Sequence, residues 1–460
     1  MCGWRNYQCV LRRLQVKAPY RGINKLPAEP VVMIACSLSL VDNLMVGYLG
    51  ELELAAVGIG VQIYFIHWMV LFGFNSGTAT FMAQFWGSRD LKNIRKTVGF
   101  GVAISFAAGI VFFVAAMFFP RAIIGLFTEE QAVIELSVKY VRTAAPCFLL
   151  LGITEPFVIA LRATQQTRIP LYISIVVFTT NTFLNYVFIF GAFGMPRLET
   201  TGAAVGTLVA RSVEMLLILY AVFVRKNKIA GSLREFTGIS RELAGRVVKN
   251  SLPTTINETL WGLGQSAYMA AIGHIGVTAY AAAQASNTIE NLFIMAGFSI
   301  GDAALILIGE RLGENNTAKS KAMAKKLLRI ALLFGAVFGI LLIICSGLLV
   351  SLFGFTPEGA FYAKRILLIY GGFMILNLYN GTLITGVLRG GGDTRFAAIS
   401  EVSCVWLIAV PAAFLGAMVF HLPVYIVVLL VKSENLFKAA ILTYRYKSGK
   451  WAKNVIHGIK

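Results

Sequence analysis

Residues 47–56 read GYLGELELAA, and residues 273–282 read GHIGVTAYAA. Gly47, Gly50, Ala55 and Ala56 fall opposite Gly273, Gly276, Ala281 and Ala282, a displacement of 226 (276 minus 50). The same displacement sets Leu26-Pro27 opposite Leu252-Pro253, Leu126-Phe127 opposite Leu352-Phe353, and Gly87 opposite Gly313. One residue further out, LRATQQTR at 161–168 meets LRGGGDTR at 388–395. The chain is one unit written twice, so whatever fold the unit adopts, the protein contains two of it.

Composition names the solvent for that unit. The 460 residues are 57% hydrophobic and 14% charged, with a mean hydropathy of +0.73; soluble domains run about 45–50% apolar and about 25% charged. The apolar runs are long and continuous rather than short and alternating, which points to spanning helices and away from a barrel. A helix needs about 20 apolar residues to cross a bilayer. Twelve candidates fit, near 27–48, 54–80, 98–119, 137–160, 170–190, 201–224, 250–273, 279–307, 328–350, 364–387, 397–420 and 422–444. The expected fold is therefore an all-α integral membrane protein: twelve transmembrane helices in two six-helix bundles related by internal duplication. Six is even, so both bundles keep one orientation, a parallel-repeat plan found in secondary transporters.

The formal net charge of +19 invites a nucleic-acid reading, but the positions of the charges argue otherwise. Basic residues gather in WGSRDLKNIRK after the second span, RKNKIAGSLREF after the sixth, ERLGENNTAKSKAMAKK after the eighth and YRYKSGKWAKNVIHGIK after the twelfth. The alternate loops, YLGELEL, FTEEQAVIEL and GFTPEGA, are poor in lysine and arginine. This is the positive-inside pattern, which places both termini in the cytoplasm of a multi-pass cell membrane protein, plasma or bacterial inner. The expected division is a basic arm (1–24), an N-lobe (25–224), a cytoplasmic linker (225–249), a C-lobe (250–445) and a cytoplasmic tail (446–460). The arm lacks an apolar core with a small-residue cleavage site, so no cleaved signal is expected, and its charge suits anionic lipid. Six scattered cysteines without CxxC spacing read as packing residues, and no cofactor or firm metal site is expected.

Ionised or amide side chains inside apolar spans cost energy there and are functional candidates. Asp42 sits within LVDNLMVGYLG, and the residue 226 further on, its counterpart in the second unit, is Tyr268. In the fifth span Asn181 and Asn185 are four apart and share a face, with Thr207 offering a hydroxyl from the sixth; helix–helix hydrogen bonding is an equal reading. Glu258, Trp261, Gly262 and Gln265 share a face of the seventh span, where a carboxylate beside an indole suits an organic cation. Gln284, Asn287 and Asn291 in the eighth span, and Tyr370, Asn377 and Asn380 in the tenth, line either a cavity or a helix seam. Arg211 and Glu214 read as an internal ion pair, His67 as a packing residue, while Glu155 and Glu401 carry no assignment. P-loop and HExxH motifs are absent, so an enzyme is not expected.

Five stretches in order resemble the multidrug and toxic compound extrusion family: LVDNLMVGYLGELELAAVGIG, LRATQQTRIP, NTFLNYVFIFG, LPTTINETLWGLG and GVLRGGGDTRF. The resemblance covers nearly all of the chain beyond the basic arm. It implies efflux of organic cations or other amphipathic compounds driven by inward H⁺ or Na⁺. It makes Asp42 the coupling carboxylate, with Asn181, Asn185 and Thr207 around it and a possible Na⁺ nearby. Many relatives carry an aspartate where Asn185 stands, so this chain has one anion fewer there and H⁺ is favoured slightly over Na⁺. The family also places a carboxylate at Glu258, which with Trp261, Gln265, Gln284, Asn287, Asn377 and Asn380 makes the expected substrate cavity. The expected partners are small-molecule substrates and membrane lipid, with the protein a monomer. Two alternatives stand beside this reading: a lipid-linked oligosaccharide flippase, disfavoured because the intramembrane charges look mainly acidic, and a passive channel or membrane scaffold.

Overall fold

The computed structural model describes residues 45–128, 130–351 and 355–459; the first expected span lies almost entirely outside them. The described residues are helical from end to end, with no strand among them. The main helices are α1 (Glu51–Gly87), α2 (Leu91–Phe118), α3 (Gln131–Ala144), α4 (Pro146–Ala163), α5 (Arg168–Phe190) and α6 (Glu199–Leu219). A short helix α7 (Leu233–Thr237) follows, then α8 (Arg241–Gly273), α9 (Val277–Gly313), α10 (Thr317–Ser351), α11 (Pro357–Gly381) and α12 (Thr394–Cys404). The last two are α13 (Val424–Lys432) and α14 (Glu434–Lys447). Among the described residues nine helices are long and apolar enough to cross a membrane.

Two expected spans are broken. The run expected at 137–160 is α3 and α4, because Pro146 opens a new helix: its ring has no N–H to give to the preceding turn. The last span divides at Ser433 into α13 and α14. Elsewhere the helices outrun their apolar windows, α9 covering 277–313 where 279–307 was expected, because amphipathic ends continue the helix past the lipid-compatible stretch.

The duplication is copied in the backbone. α1, α2, α3 and α5 begin at 51, 91, 131 and 168; α9, α10, α11 and α12 begin at 277, 317, 357 and 394, each 226 later (277 minus 51). Gly50 and Gly276, which precede α1 and α9, have φ of 149° and 148°, a conformation that side-chain-bearing residues rarely adopt. Arg89 and Asn315, just past the other ends of these helices, have φ of 61° and 57°.

The two halves meet where α1 and α9 end, at the end of the molecule that carries the basic loops. A Cβ on Gly87 would land on the carbonyl oxygen of Glu310, and one on Gly313 on the carbonyl oxygen of Gln84. These are one contact made twice, since Gln84 and Glu310 are themselves 226 apart. The surrounding bonds follow the same reciprocity. Arg162 faces Asp302 at 3.6 Å, while Arg389, its counterpart, donates to Ser76 Oγ at 3.1 Å; Ser76 and Asp302 are again a matched pair. Gln165 donates to Glu310 Oε2 at 2.6 Å, and Gln84 to the carbonyl oxygen of Gly390 at 3.4 Å. Further along, Thr254 and Asn250 of α8 donate to the carbonyl oxygens of Gly73 and Gly77.

Because the seam is backbone against backbone, a single methyl has nowhere to go. Gly313→Ala is expected to lower stability by about 1–3 kcal/mol, the usual cost of overpacking, measured as a drop in the thermal unfolding midpoint of the detergent-solubilised protein. Gly245→Ala, whose Cβ would meet open space, serves as the control.

Candidate functional site

In the N-terminal half, α5 and α6 bring three of the expected residues together. Asn185 Nδ2 donates to Asn181 Oδ1 at 3.1 Å, and Asn181 Nδ2 donates to Thr207 Oγ1 at 3.3 Å. Both asparagines are buried. Gly206 makes this possible: a Cβ there would strike Asn185 Oδ1, so the missing side chain lets α6 lie against the amide. The result is a chain of neutral oxygen and nitrogen groups, with no titratable member. Asp42, expected beside it, lies outside the described residues.

A second cluster stands on α1, α4 and α6. Arg211 donates to Glu214 Oε2 at 2.7 Å and lies 5.9 Å from the centre of the Tyr64 ring, so the expected internal pair is present. Glu155 lies within electrostatic reach of both, and of Arg162. His67 is fully buried edge-on between Phe112 and Phe148, at 4.9 and 4.8 Å, with neither ring nitrogen hydrogen-bonded; it packs, as expected.

The C-terminal half departs from expectation. Glu258 does not offer a free carboxylate beside Trp261. It is buried and bonded to Arg389, which is itself completely buried and also reaches Ser76 in the other half. An anion in a dry interior needs such a partner, and the arginine of the LRGGG turn supplies it. Asn380 also changes place: it donates to the main chain of Asn435 at 2.9 Å, so it stitches α11 to α14 rather than lining a cavity.

Four other residues expected from the sequence, Gln265, Asn287, Tyr370 and Asn377, gather around Glu290 and a partner that the sequence reading missed. Lys432, the last residue of α13, holds both oxygens of Glu290 at 2.9 Å and sits 4.4 Å above the Tyr370 ring. Asn377 donates to the same carboxylate at 3.4 Å. Tyr268 donates to Gln265 Oε1, and Asn287 stands beside the Tyr268 hydroxyl. Trp261 is half-buried and Gln284 is exposed on α9, and neither joins this network. Deeper, Lys438 lies 3.2 Å from Glu434 and 3.9 Å from Glu401, which accepts from Asn257 at 2.7 Å. A signal for these lysines was present in KSENLFK, a charged heptad inside an otherwise apolar last span.

These pairs also correct the premise that the intramembrane charges are mainly acidic. Each carboxylate of the C-terminal network, at 258, 290, 401 and 434, has Arg389, Lys432 or Lys438 beside it. Four carboxylates share three cations, Lys438 serving two of them, so the arrangement can hold or exchange ions and small polar groups without exposing a bare charge to lipid.

Comparison with known proteins matches this architecture. The MatE family profile matches twice, at residues 27–187 and 253–440, one match per half. The chain is 26% identical to the probable multidrug resistance protein YoeA of Bacillus subtilis, over 82% of this chain and 81% of that one. It is 24% identical to the probable multidrug resistance protein NorM of Thermotoga maritima, over 94% and 92%. A crystal structure of MATE in complex with MaL6 superposes with a TM-score of 0.85 at 18% identity, covering 93% of this chain and 95% of that one. A paired match to one family, on two halves that repeat each other helix for helix, places the chain in the MatE family of multidrug and toxic compound extrusion transporters.

Proposed function

We propose that this protein exports small amphipathic or cationic molecules across a cell membrane in exchange for H⁺ or Na⁺, by alternating access. The observation that carries the reading is the reciprocal seam. Two equivalent bundles touch at one end through matched glycines and matched polar pairs, so that end can part as one unit while the opposite end closes. The seam lies at the basic end, which the positive-inside pattern assigns to the cytoplasm; the halves as arranged are closed inward. Asp42 is the coupling carboxylate, and Asn181, Asn185 and Thr207 orient what it binds. An amide at 185 takes up no proton, so the titration falls to Asp42, which favours H⁺. Desolvation favours a neutral carboxylate, so uptake of the proton and repacking of the N-terminal half support each other.

The relatives named above are transporters, and the substrate path proposed here runs between the halves, past Trp261 and Gln284. Lys432 and Lys438 support a second reading, in which the substrate is an amphipathic molecule carrying an anionic group, as a lipid-linked oligosaccharide does. Purified protein in liposomes, loaded with a fluorescent organic cation, tests the choice. Efflux under an imposed pH gradient alone is the expected result; efflux under a Na⁺ gradient alone would reassign the ion. Movement of an anionic lipid-linked sugar but not of the cation would replace the first reading by the second.

A further inference from the structure

The segment after α14 folds back onto both halves. It turns at Gly449 (φ 67°) and buries Trp451 completely in the core of the C-terminal half, among Leu312, Leu328, Leu383 and Leu442. Lys453 N then donates to the carbonyl oxygen of Gly391 at 2.9 Å, and its Nζ pairs with Asp393 at 2.6 Å. Asn454 Nδ2 donates to the carbonyl oxygen of Leu312 at 3.2 Å and to Asn315 Oδ1 at 2.7 Å. All of these anchors lie in the C-terminal half.

At residue 455 the chain crosses to the other half. Val455 N donates to Gln84 Oε1 at 2.8 Å, and Gln84 Nε2 donates back to the carbonyl oxygen of Lys453 at 3.1 Å. Ile456 enters the core of the N-terminal half with Phe81, Phe85 and Ile94, and Ile459 packs against the same cluster. Arg246, at the start of α8, donates to the carbonyl oxygens of Val455 and His457 at 3.4 and 2.8 Å. A cleft of about 280 Å³ between these residues, Ser88 and Asp90 of the N-terminal half, and Gly313 and Asn315 of the C-terminal half is floored by the seam itself.

Both halves are therefore bound by one strand of chain, beside the glycine contacts of α1 and α9. Gln84 belongs to the seam and to the strand at once. With Ile456 seated in one half and Trp451 buried in the other, this segment spans the seam. The two holds are unequal: a completely buried indole on one side, two aliphatic side chains and the Gln84 amide on the other.

We propose that residues 453–459 are a latch that holds the basic end closed, and that Ile456 leaves the N-terminal half each time that end opens. The proposal rests on the alternating-access reading above. It predicts that weakening the hook without disturbing Trp451 moves the protein toward the state open at the basic end.

The test uses full-length protein in liposomes with its six native cysteines replaced, and a reporter Thr80→Cys. Thr80 is completely buried in the seam, its hydroxyl donating to the carbonyl oxygen of Arg389 at 2.8 Å, so a maleimide reaches a cysteine there only when the seam parts. Ile456→Asp, and separately a chain ended after Ala452, should each raise the labelling rate about tenfold, within the usual range of conformational coupling. A cleavable cross-link between Ser88→Cys and His457→Cys, which line the same cleft, should slow labelling and release it on cleavage. Labelling unchanged by Ile456→Asp and by the cross-link would overturn the latch. Labelling is read without any substrate, so failure of the efflux reading shows separately: faster labelling in a protein that exports nothing leaves the latch standing and removes the exporter.

Discussion

An Asp42→Asn variant should insert, fold and remain able to bind substrate, while its gradient-driven export falls to the level of protein-free liposomes. Asparagine matches aspartate in size, so packing changes little; it neither carries charge nor takes up a proton. The amide and hydroxyl groups proposed around Asp42 cannot take its place. Asn181, Asn185 and Thr207 form a chain of neutral groups. The position equivalent to Asp42 in the second half holds Tyr268, which is buried and bonded to Gln265. Initial efflux rates under an imposed pH gradient, with thermal unfolding as the folding check, measure this. An Asp42→Asn protein that exports at the parent rate would move coupling elsewhere, with the Glu290–Lys432 pair the first place to look.

Arg389→Met should be the most destabilising of the single changes considered, by about 3–5 kcal/mol, the cost of stranding one member of a buried ion pair. The guanidinium is completely buried and holds Glu258 with one arm and Ser76 with the other, and its main-chain oxygen accepts from Thr80. Methionine keeps an unbranched apolar stem and loses every one of the side-chain bonds. The double variant Arg389→Met with Glu258→Gln removes both charges and should recover about 2 kcal/mol of the loss, a coupling of the size that contacting residues show. Strict additivity in a double-mutant cycle by thermal unfolding would mean that the pair does not act as a unit. Because Ser76 belongs to the other half, the single variant should also loosen the seam and speed labelling of the Thr80→Cys reporter.

The duplication was the most legible part of the sequence, and for a physical reason. Glycines at 50, 87, 276 and 313 are required by backbone geometry, by a positive φ or by backbone contact, so they keep their spacing in both halves. Helix number followed from the lengths of the apolar runs, which supplied only approximate limits. α8 shows the limit of hydropathy: Arg241–Gly273 is one long helix, yet too polar to count among the nine apolar spans. The break at Pro146 was visible in the sequence but not weighed.

The site was less legible. Neighbours on one helix were read correctly, as with Asn181 and Asn185 or Arg211 and Glu214, because spacing of three or four fixes a shared face. Partners on different helices were not. Nothing in LPTTINETLWGLG says that Arg389, 131 residues further on, will reach Glu258. The indole three residues away suggested a cation site, whereas the cation present is the protein's own. Lys432 and Lys438 were hidden for a simpler reason: a run rich in Val, Leu and Ile averages over them.

Reconstituted protein is given a labelled organic cation at equal concentration on both sides of the membrane, and a pH gradient is then imposed. The account predicts net movement of the cation against its own developing gradient, stopped at once by a protonophore and absent in Asp42→Asn. Movement that only equalises concentrations, at a rate indifferent to the pH gradient and to Asp42, would contradict it and describe a passive pore.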